Sequence, residues 1–389
     1  MDCFDAGNVL SGERHVALFL EHPTLYGGEH SILAFCRELS KRRYTFSVIC
    51  PPGERMLNAL AERKIRHLPF LFREQSGLRF PMQKLRNDLR SLLQELNVDI
   101  LHANSLSTSR IAGPVGATLK IPTVGHIRDI MRVSSQAMED INSCSLVLCV
   151  SEATLEYHRT FGLKKDRSRV QYNGVDFDAF SAGPKKTHLR ESFGIDPEAI
   201  VIGTAGQIIL RKGLDTTVQA FAMLEDHMPG VHLLIAGERN SKKMETVLYD
   251  RKIRDFIESQ EMEHRVHFVG YMDDMADLYR SIDIFVHSSR QEPLGRVLLE
   301  AAACGVPVVA TRVGGTEEIF SKPDQAILIK PDEPTLLANK IRKLINDGEL
   351  RLKLGRKGFD AIKFRFDIQE LSQGLIAQYQ SLLWERMRL

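Results

Sequence analysis

Short apolar, β-branched runs alternate along the chain with longer segments of helical composition, and this alternation predicts parallel, doubly wound α/β architecture. In the first half the predicted strands are 15–20, 46–50, 65–70, 99–103, 122–127 and 146–151. Helical patterns fill the intervals near 29–40, 54–64, 82–96, a stretch ending about 117, and 134–141, while the polar, basic stretch 73–80 reads as a loop. A second series begins at 200, with strands at 201–205, 231–237, 265–270, 282–286, 307–310 and 326–329. Helices follow from 214, up to 259, at 273–281 and 295–304, and then from 333, 349 and 367, the last amphipathic to about 386. The polar stretch S-A-G-P-K-K-T-H at 181–188 is the best linker. Three parts are therefore expected: residues 1–182, 183–366 and a terminal helix, 367–389.

A chain of 389 residues can bury two sizeable cores. Its 43% hydrophobic and 26% charged residues are ordinary for a soluble globular protein, and a net charge of +2 gives no basic field on the scale nucleic acid requires. No apolar run approaches the roughly 18 residues of a membrane-spanning helix, and the start, M-D-C-F-D-A-G, lacks the basic and apolar regions of a signal peptide. The six cysteines are scattered without a C-x-x-C, which points to reduced, mostly buried thiols in a cytoplasmic protein. Thirteen histidines form no H-E-x-x-H spacing and no D-x-D precedes an apolar strand, so no metal site is expected. A dinucleotide-binding dehydrogenase is disfavoured because no G-x-G-x-x-G follows the first strand.

The stretch richest in chemistry runs from His287 to Thr311, H-S-S-R-Q-E-P-L-G-R-V-L-L-E-A-A-A-C-G-V-P-V-V-A-T. It reads as strand, helix, strand, which opens the helix N-terminus at the carboxyl ends of the strands, where open α/β sheets bind ligands. Pro293 and Gly295 stand where the helix begins, and its unpaired N–H groups favour an anion such as phosphate. Glu292 lies just before the helix and Glu300 within it. A carboxylate beside an anion site is costly unless it has another task, and accepting hydrogen bonds from sugar hydroxyls is one. The alternative for Glu300 is an ion pair with Arg296, four residues back on the same face. Elsewhere, Gly27 and Gly28 close the first βα loop, either as an ordinary tight turn or as backbone open to a ligand. His126 ends a strand, and Lys212 follows a glycine-bounded loop at 206–213; either could be no more than structural.

Glu292, seven intervening residues and Glu300, inside E-P-L-G-x-V-L-L-E-A-x-A-C-G-x-P-V-V, resemble the signature of family 4 retaining glycosyltransferases of the GT-B fold. The resemblance implies two Rossmann-like domains facing a cleft, with the last helix crossing back to the first domain. It implies that Glu300 holds the nucleotide ribose, that Glu292 contacts the donor sugar, and that Pro293, Leu294, Gly295 and Arg296 complete that side of the donor site. Gly27 and Gly28 match the paired glycines facing the donor phosphates and acceptor. His126 matches a histidine or aspartate that faces the donor sugar; Arg128 and Asp129 lie beside it, and His102 and Asn104 are weaker candidates for the acceptor. The loop G-Q-I-I-L-R-K-G matches a family pattern of Gly-Arg, four residues, Lys-Gly, whose cations neutralise the donor diphosphate. Gly206 and Lys212 fit it. Gln207 stands where arginine is usual, so part of the charge would come from Arg211 or Arg296. Tyr271 and Met272 match the edge that meets the base, and the N-G-V-D ending at Asp176 matches a segment closing the first domain.

The implied activity is sugar transfer from a nucleotide-diphosphate sugar to an acceptor hydroxyl with retained configuration, in glycan, polysaccharide or glycolipid biosynthesis. His126, Lys212 and Glu292 would form the catalytic set. The nucleotide-sugar is a co-substrate; no metal and no other cofactor is expected. The acceptor would be a glycan, a lipid-linked or a small molecule, with nucleic acid excluded and peripheral contact with the inner membrane face left open. Two alternatives stand beside this reading: a GT-B nucleotide-sugar epimerase or hydrolase, and a non-catalytic sugar-nucleotide-binding subunit, which Gln207 would suit.

Overall fold

The computed structural model describes residues 12–184, 186–224 and 230–388. They form two compact units, one of residues up to Gly174 together with Ile368 onward, the other Val175–Asp367. The division falls before the expected 182. The reason is local: Phe180 packs on Tyr279, and Arg280 donates to the Ser181 carbonyl at 3.2 Å, tying this stretch to the second unit.

In the first unit the strands are β1 (Arg14–Phe19), β2 (Tyr44–Cys50), β3 (Arg66–Pro69), β4 (Ile100–Ala103), β5 (Thr123–Ile127), β6 (Leu146–Cys149) and β7 (Ser168–Val170). They pair in the order β3-β2-β1-β4-β5-β6-β7, every pairing parallel. Alternation along β1 decides its two faces. Val16 and Leu18 pack with the helix Gly27–Ser40 and the C-terminal helix Ile368–Met387, whereas Ala17 and Phe19 pack against Leu85, Leu89 and Ile111 on the other side. The C-terminal helix thus completes one layer of this unit, burying Ile368, Leu375, Tyr379, Leu382 and Leu383 at helical spacing. Pro114 lies inside the helix Leu106–Leu119 and cannot donate to the Arg110 carbonyl; Arg86 donates to that oxygen at 3.2 Å instead.

The second unit repeats the plan with β8 (Ile200–Ala205), β9 (Val231–Ala236), β10 (Val266–Gly270), β11 (Ile284–His287), β12 (Val308–Thr311) and β13 (Ile327–Ile329), in the order β10-β9-β8-β11-β12-β13. Again all pairings are parallel. In both sheets the order reverses beside the first strand, which leaves a crevice at the carboxyl ends there. No helix among the described residues is long and apolar enough to cross a membrane. Cys36, Cys50, Cys144, Cys149 and Cys304 are free, buried thiols, and Cys3 lies outside the described residues.

Four elements escaped the sequence pattern: the α-helices Glu152–Thr160, His188–Ser192 and Thr316–Ile319 and the strand β7. The first buries Thr154, Leu155 and His158, a face too polar to register as an apolar stripe.

Candidate active site

Three adjacent strands of the second unit end in glycines with positive φ: Gly206 at +145° after β8, Gly237 at +128° after β9 and Gly270 at +80° closing β10. Their backbones lie against one another, Gly206 N donating to Ala236 O at 2.9 Å and Gly237 N to Gly270 O at 2.7 Å. A Cβ at Gly237 would sit 1.9 Å from the Gly206 carbonyl oxygen, so no side chain fits there. The carboxyl edge is therefore lined by main chain from the 206–213 loop to Tyr271, which is half-buried.

Lys212 ends a short 3-10 turn, Leu210–Lys212, closed by Gly213 at φ +63°. A Cβ on Gly213 would meet the Ser288 carbonyl at 2.1 Å, which locks this loop onto the residues following β11. Ser288 Oγ donates to Gly213 O at 2.7 Å, and Arg290 reaches back to the Leu210 carbonyl at 2.7 Å and to Asp215 at 2.8 Å. The sequence singled out none of these braces. They place Lys212 Nζ 2.5 Å from Glu292 Oε2.

Glu292 is 6% exposed. His287 Nε2 lies 2.7 Å from the same Oε2, and Ser289 Oγ lies 2.9 Å from that nitrogen. Burial by itself would raise the Glu292 pKa, but Lys212 and His287 outweigh it and hold the carboxyl well below the usual range. Burial likewise lowers the His287 pKa from its ordinary value, against the pull of Glu292. A neutral ring beside a carboxylate must carry its proton on Nε2. The result is an ionised, buried carboxylate with one oxygen crowded by donors. Its main-chain carbonyl accepts from Gly315 N at 3.0 Å, fixing the residue at both ends.

Pro293 and Leu294 are buried, and Gly295 at φ +105° caps the helix Arg296–Ala303. Leu294 has 1% of its surface exposed and packs into the unit. Glu300, 2% exposed, accepts from Arg296 Nε at 2.5 Å and from Tyr279 OH at 2.9 Å. The alternative ion pair with Arg296 is thus present, and Tyr279 joins it from the helix Met275–Ser281. Arg211 is half-buried and makes no ion pair with a described residue, and Gln207 lies four positions earlier in the same loop.

In the first unit Gly27 and Gly28 are not loop residues, as expected, but the first turn of the helix Gly27–Ser40. The physical reason is Glu29, whose carboxylate accepts from Tyr26 N at 3.1 Å and extends the helix backward. Gly28 lies against Arg128: an added Cβ would be 3.2 Å from its Cδ. Arg128 donates to Asn104 Oδ1 at 2.8 Å and Asn173 Oδ1 at 2.6 Å, and Asn104 in turn donates to Gly28 O at 3.2 Å.

His126 has no exposed surface. Its Nδ1 lies 3.2 Å from both His102 Nε2 and Arg128 Nη2. Burial, then the charge of Arg128, then His102 hold its pKa well below the ordinary histidine value. Asp129 offers its main-chain carbonyl to His158 at 2.9 Å. His126, His102, Asn104, Arg128 and Gly28 form one cluster in this unit; Lys212, Glu292 and the start of the Arg296 helix form another in the second. No group of three or more His, Cys, Asp or Glu able to hold a metal occurs among the described residues.

Comparison with known proteins agrees with this architecture. The family model described as glycosyl transferases group 1 matches residues 185–360, and the model described as glycosyltransferase family 4 matches residues 26–179. N-acetyl-alpha-D-glucosaminyl L-malate synthase of Bacillus anthracis is 27% identical over 316 residues, covering 78% of this chain and 79% of that protein. A D-inositol 3-phosphate glycosyltransferase of Xylanimonas cellulosilytica is 30% identical over 248 residues, 61% of this chain and 57% of its own. Among solved structures, Anabaena HepE in complex with UDP-glucose superposes with a TM-score of 0.82 at 24% identity, over 94% of this chain and 99% of that one. Sucrose-phosphate synthase of Thermosynechococcus elongatus gives 0.79 at 18% identity, over 96% and 100%. With two parallel-sheet α/β units and a family match across both, the chain belongs to the family 4 (group 1) glycosyltransferases and has their GT-B fold.

Proposed function

We propose that this glycosyltransferase moves a hexose from a nucleotide-diphosphate sugar to an acceptor hydroxyl with retention of anomeric configuration and without a metal ion. The observation that carries the reading is the buried Lys212–Glu292–His287 group at the carboxyl edge of the second sheet. In the reaction the bond from the anomeric carbon to the diphosphate oxygen breaks, and its electron pair passes to the diphosphate. The acceptor oxygen bonds to the same face of that carbon, and its proton passes to the departing diphosphate. Charge therefore grows on the diphosphate in the transition state, and fixed cations there act more strongly than in the ground state. Lys212 and Arg211 are assigned that task, with the main-chain N–H groups at Gly295.

Glu292 is assigned to a donor-sugar hydroxyl. It is ionised and anchored, so it can accept a hydrogen bond without rearranging. Glu300, with Arg296 and Tyr279 holding it, is assigned to the ribose hydroxyls, and the main chain near Tyr271 to the base. His126 is assigned to the donor sugar on the part of the first unit. The likeness to a structure in complex with UDP-glucose supports a sugar-nucleotide donor of this class. A thermal-shift screen of nucleoside diphosphates and their sugars tests the proposal. One nucleotide family should raise the melting temperature of the wild type, since a ligand that prefers the folded state stabilises it. If no nucleotide or nucleotide-sugar does so, the proposal fails.

A further inference from the structure

Behind His126 runs a buried hydrogen-bonded line to the C-terminal helix. Tyr379 OH lies 2.6 Å from His102 Nδ1, and His102 Nε2 lies 3.2 Å from His126 Nδ1. All three side chains are at most 1% exposed, and the first link joins positions 277 residues apart. Coordinates alone leave each imidazole's proton undecided. Here one neighbour decides it. Arg128 Nη2 lies 3.2 Å from His126 Nδ1, and a guanidinium can only donate. His126 Nδ1 must therefore be the acceptor. His102 Nε2, facing the same nitrogen, must then carry a proton and donate it. Its own Nδ1 is left with a lone pair, and Tyr379 OH can fill it only by donating.

The opposite arrangement, a proton on His126 Nδ1, would set an N–H against the Arg128 N–H groups. A second proton on either ring would put a cation in a fully buried site beside that guanidinium. Burial, and then Arg128, push the His102 pKa down to about 3, consistent with a ring that stays neutral. His126 thus presents its proton on Nε2, which is buried near the Gln171 main chain and makes no hydrogen bond of standard geometry.

We propose that Tyr379 is a positioning residue: acting through His102, it fixes the tautomer and orientation of the His126 ring. The proposal rests on the assignment of His126 to the donor sugar. It also gives the C-terminal helix a part in the chemistry besides packing. Tyr379 packs on Tyr44, ring centroids 5.8 Å apart, a contact that phenylalanine would keep, so Tyr379→Phe removes the hydroxyl with little change in volume.

The experiment is long-range 1H–15N correlation of the histidine side chains in the full-length protein. His102→Gln and His126→Gln supply the assignments, alongside turnover on UDP-glucose, UDP-N-acetylglucosamine and GDP-mannose measured as nucleotide release. In the wild type both His102 and His126 should show a protonated Nε2 and an unprotonated Nδ1. Tyr379→Phe should shift or broaden the ring signals of both residues. It should also lower kcat by about three- to tenfold, the scale of one misplaced hydrogen bond, and change KM for the donor less than about twofold. A protonated Nδ1 on either ring in the wild type overturns the proposal, and this holds even if the variant does not fold. Unchanged histidine signals in Tyr379→Phe also overturn it, as do shifted signals with undiminished turnover. Full activity in His126→Ala, with the wild-type tautomers as stated, would instead defeat the assignment of His126 beneath it.

Discussion

Lys212 Nζ lies 2.5 Å from Glu292 Oε2, across 80 positions of sequence, with the lysine side chain 17% and the glutamate side chain 8% exposed. A pair this buried owes its geometry to the loop that carries it. Gly213, pressed on the Ser288 carbonyl, and Arg290, reaching back to the Leu210 carbonyl, hold the two stretches in register.

Breaking that pair should affect both stability and chemistry. Lys212→Met leaves Glu292 buried with only His287 and Ser289 as donors. Loss of one partner of a buried ion pair costs roughly 3 kcal/mol, and the melting transition of the second unit should fall accordingly. Nucleoside-diphosphate affinity and turnover should fall as well. Calorimetric melting and titration of the one variant read both effects, and an unchanged melting temperature would show that the pair contributes little.

Glu300→Gln tests the ribose assignment. The amide keeps the shape but loses charge-assisted acceptance, so nucleotide affinity should drop by roughly 1–3 kcal/mol. Tyr279→Phe, which removes only the hydroxyl donating to Glu300 Oε2, should cost less. Titration calorimetry with the bare nucleoside diphosphate checks the order of the two. Equal affinity for Glu300→Gln and wild type contradicts it.

Gln207 carries no charge where the family pattern that this loop resembles has arginine. Gln207→Arg adds a cation to the loop that carries Arg211 and Lys212, so it should tighten diphosphate binding or raise turnover. A clear loss of activity would mean that the loop has adapted to glutamine.

Two buried groups of the first unit answer acid with opposite sign: burial raises the Glu29 pKa from 4.5 to about 7, which adds stability as the pH falls through that range, while His102 takes it away. The His102 pKa falls from an ordinary 6.5 to about 3 in the folded protein, through burial and then Arg128. Between those values the unfolded chain binds the extra proton, so this contribution is complete above about pH 6.5 and is lost as the pH falls toward 3. Glu292, held below its usual value of 4.5, adds a loss of the same sign at lower pH. In denaturant titrations from pH 7.5 to 4.5, His102→Gln should lose less stability with acid, relative to its own value at pH 7.5, than the wild type does. An equal slope in that variant would place the titration elsewhere.

Most strands were legible because each is a short apolar run between helical segments, and Glu292 and Glu300 because their spacing sits in a long motif. What was not legible is largely the company these residues keep. Tyr279 and Tyr379 reach their partners across 21 and 277 positions, and helical periodicity reports such tyrosines only as core. Arg190 is the extreme case. Nothing in the local pattern marks it, yet it is 1% exposed, pairs with Asp283 at 2.8 Å and donates to the Ser281, Pro197 and Ala199 carbonyls. The strand β7 was missed because Ser168–Val170 is a short, mostly polar edge. The Gly27–Gly28 turn was read as loop because the glycines masked the helix start that Glu29 supplies.

The most direct test of the account is nucleotide release from UDP-glucose, UDP-N-acetylglucosamine and GDP-mannose by the wild type and by Glu292→Ala, with nucleoside-diphosphate affinity measured on both. The account predicts that the wild type releases nucleotide from at least one of these donors. Glu292→Ala should lose at least about 100-fold in rate, on the scale of a group that acts in the transition state, while its affinity for the bare nucleoside diphosphate stays within about threefold, because Glu292 is assigned to the sugar. Turnover in Glu292→Ala equal to wild type, or nucleotide affinity lost in step with rate, would contradict it.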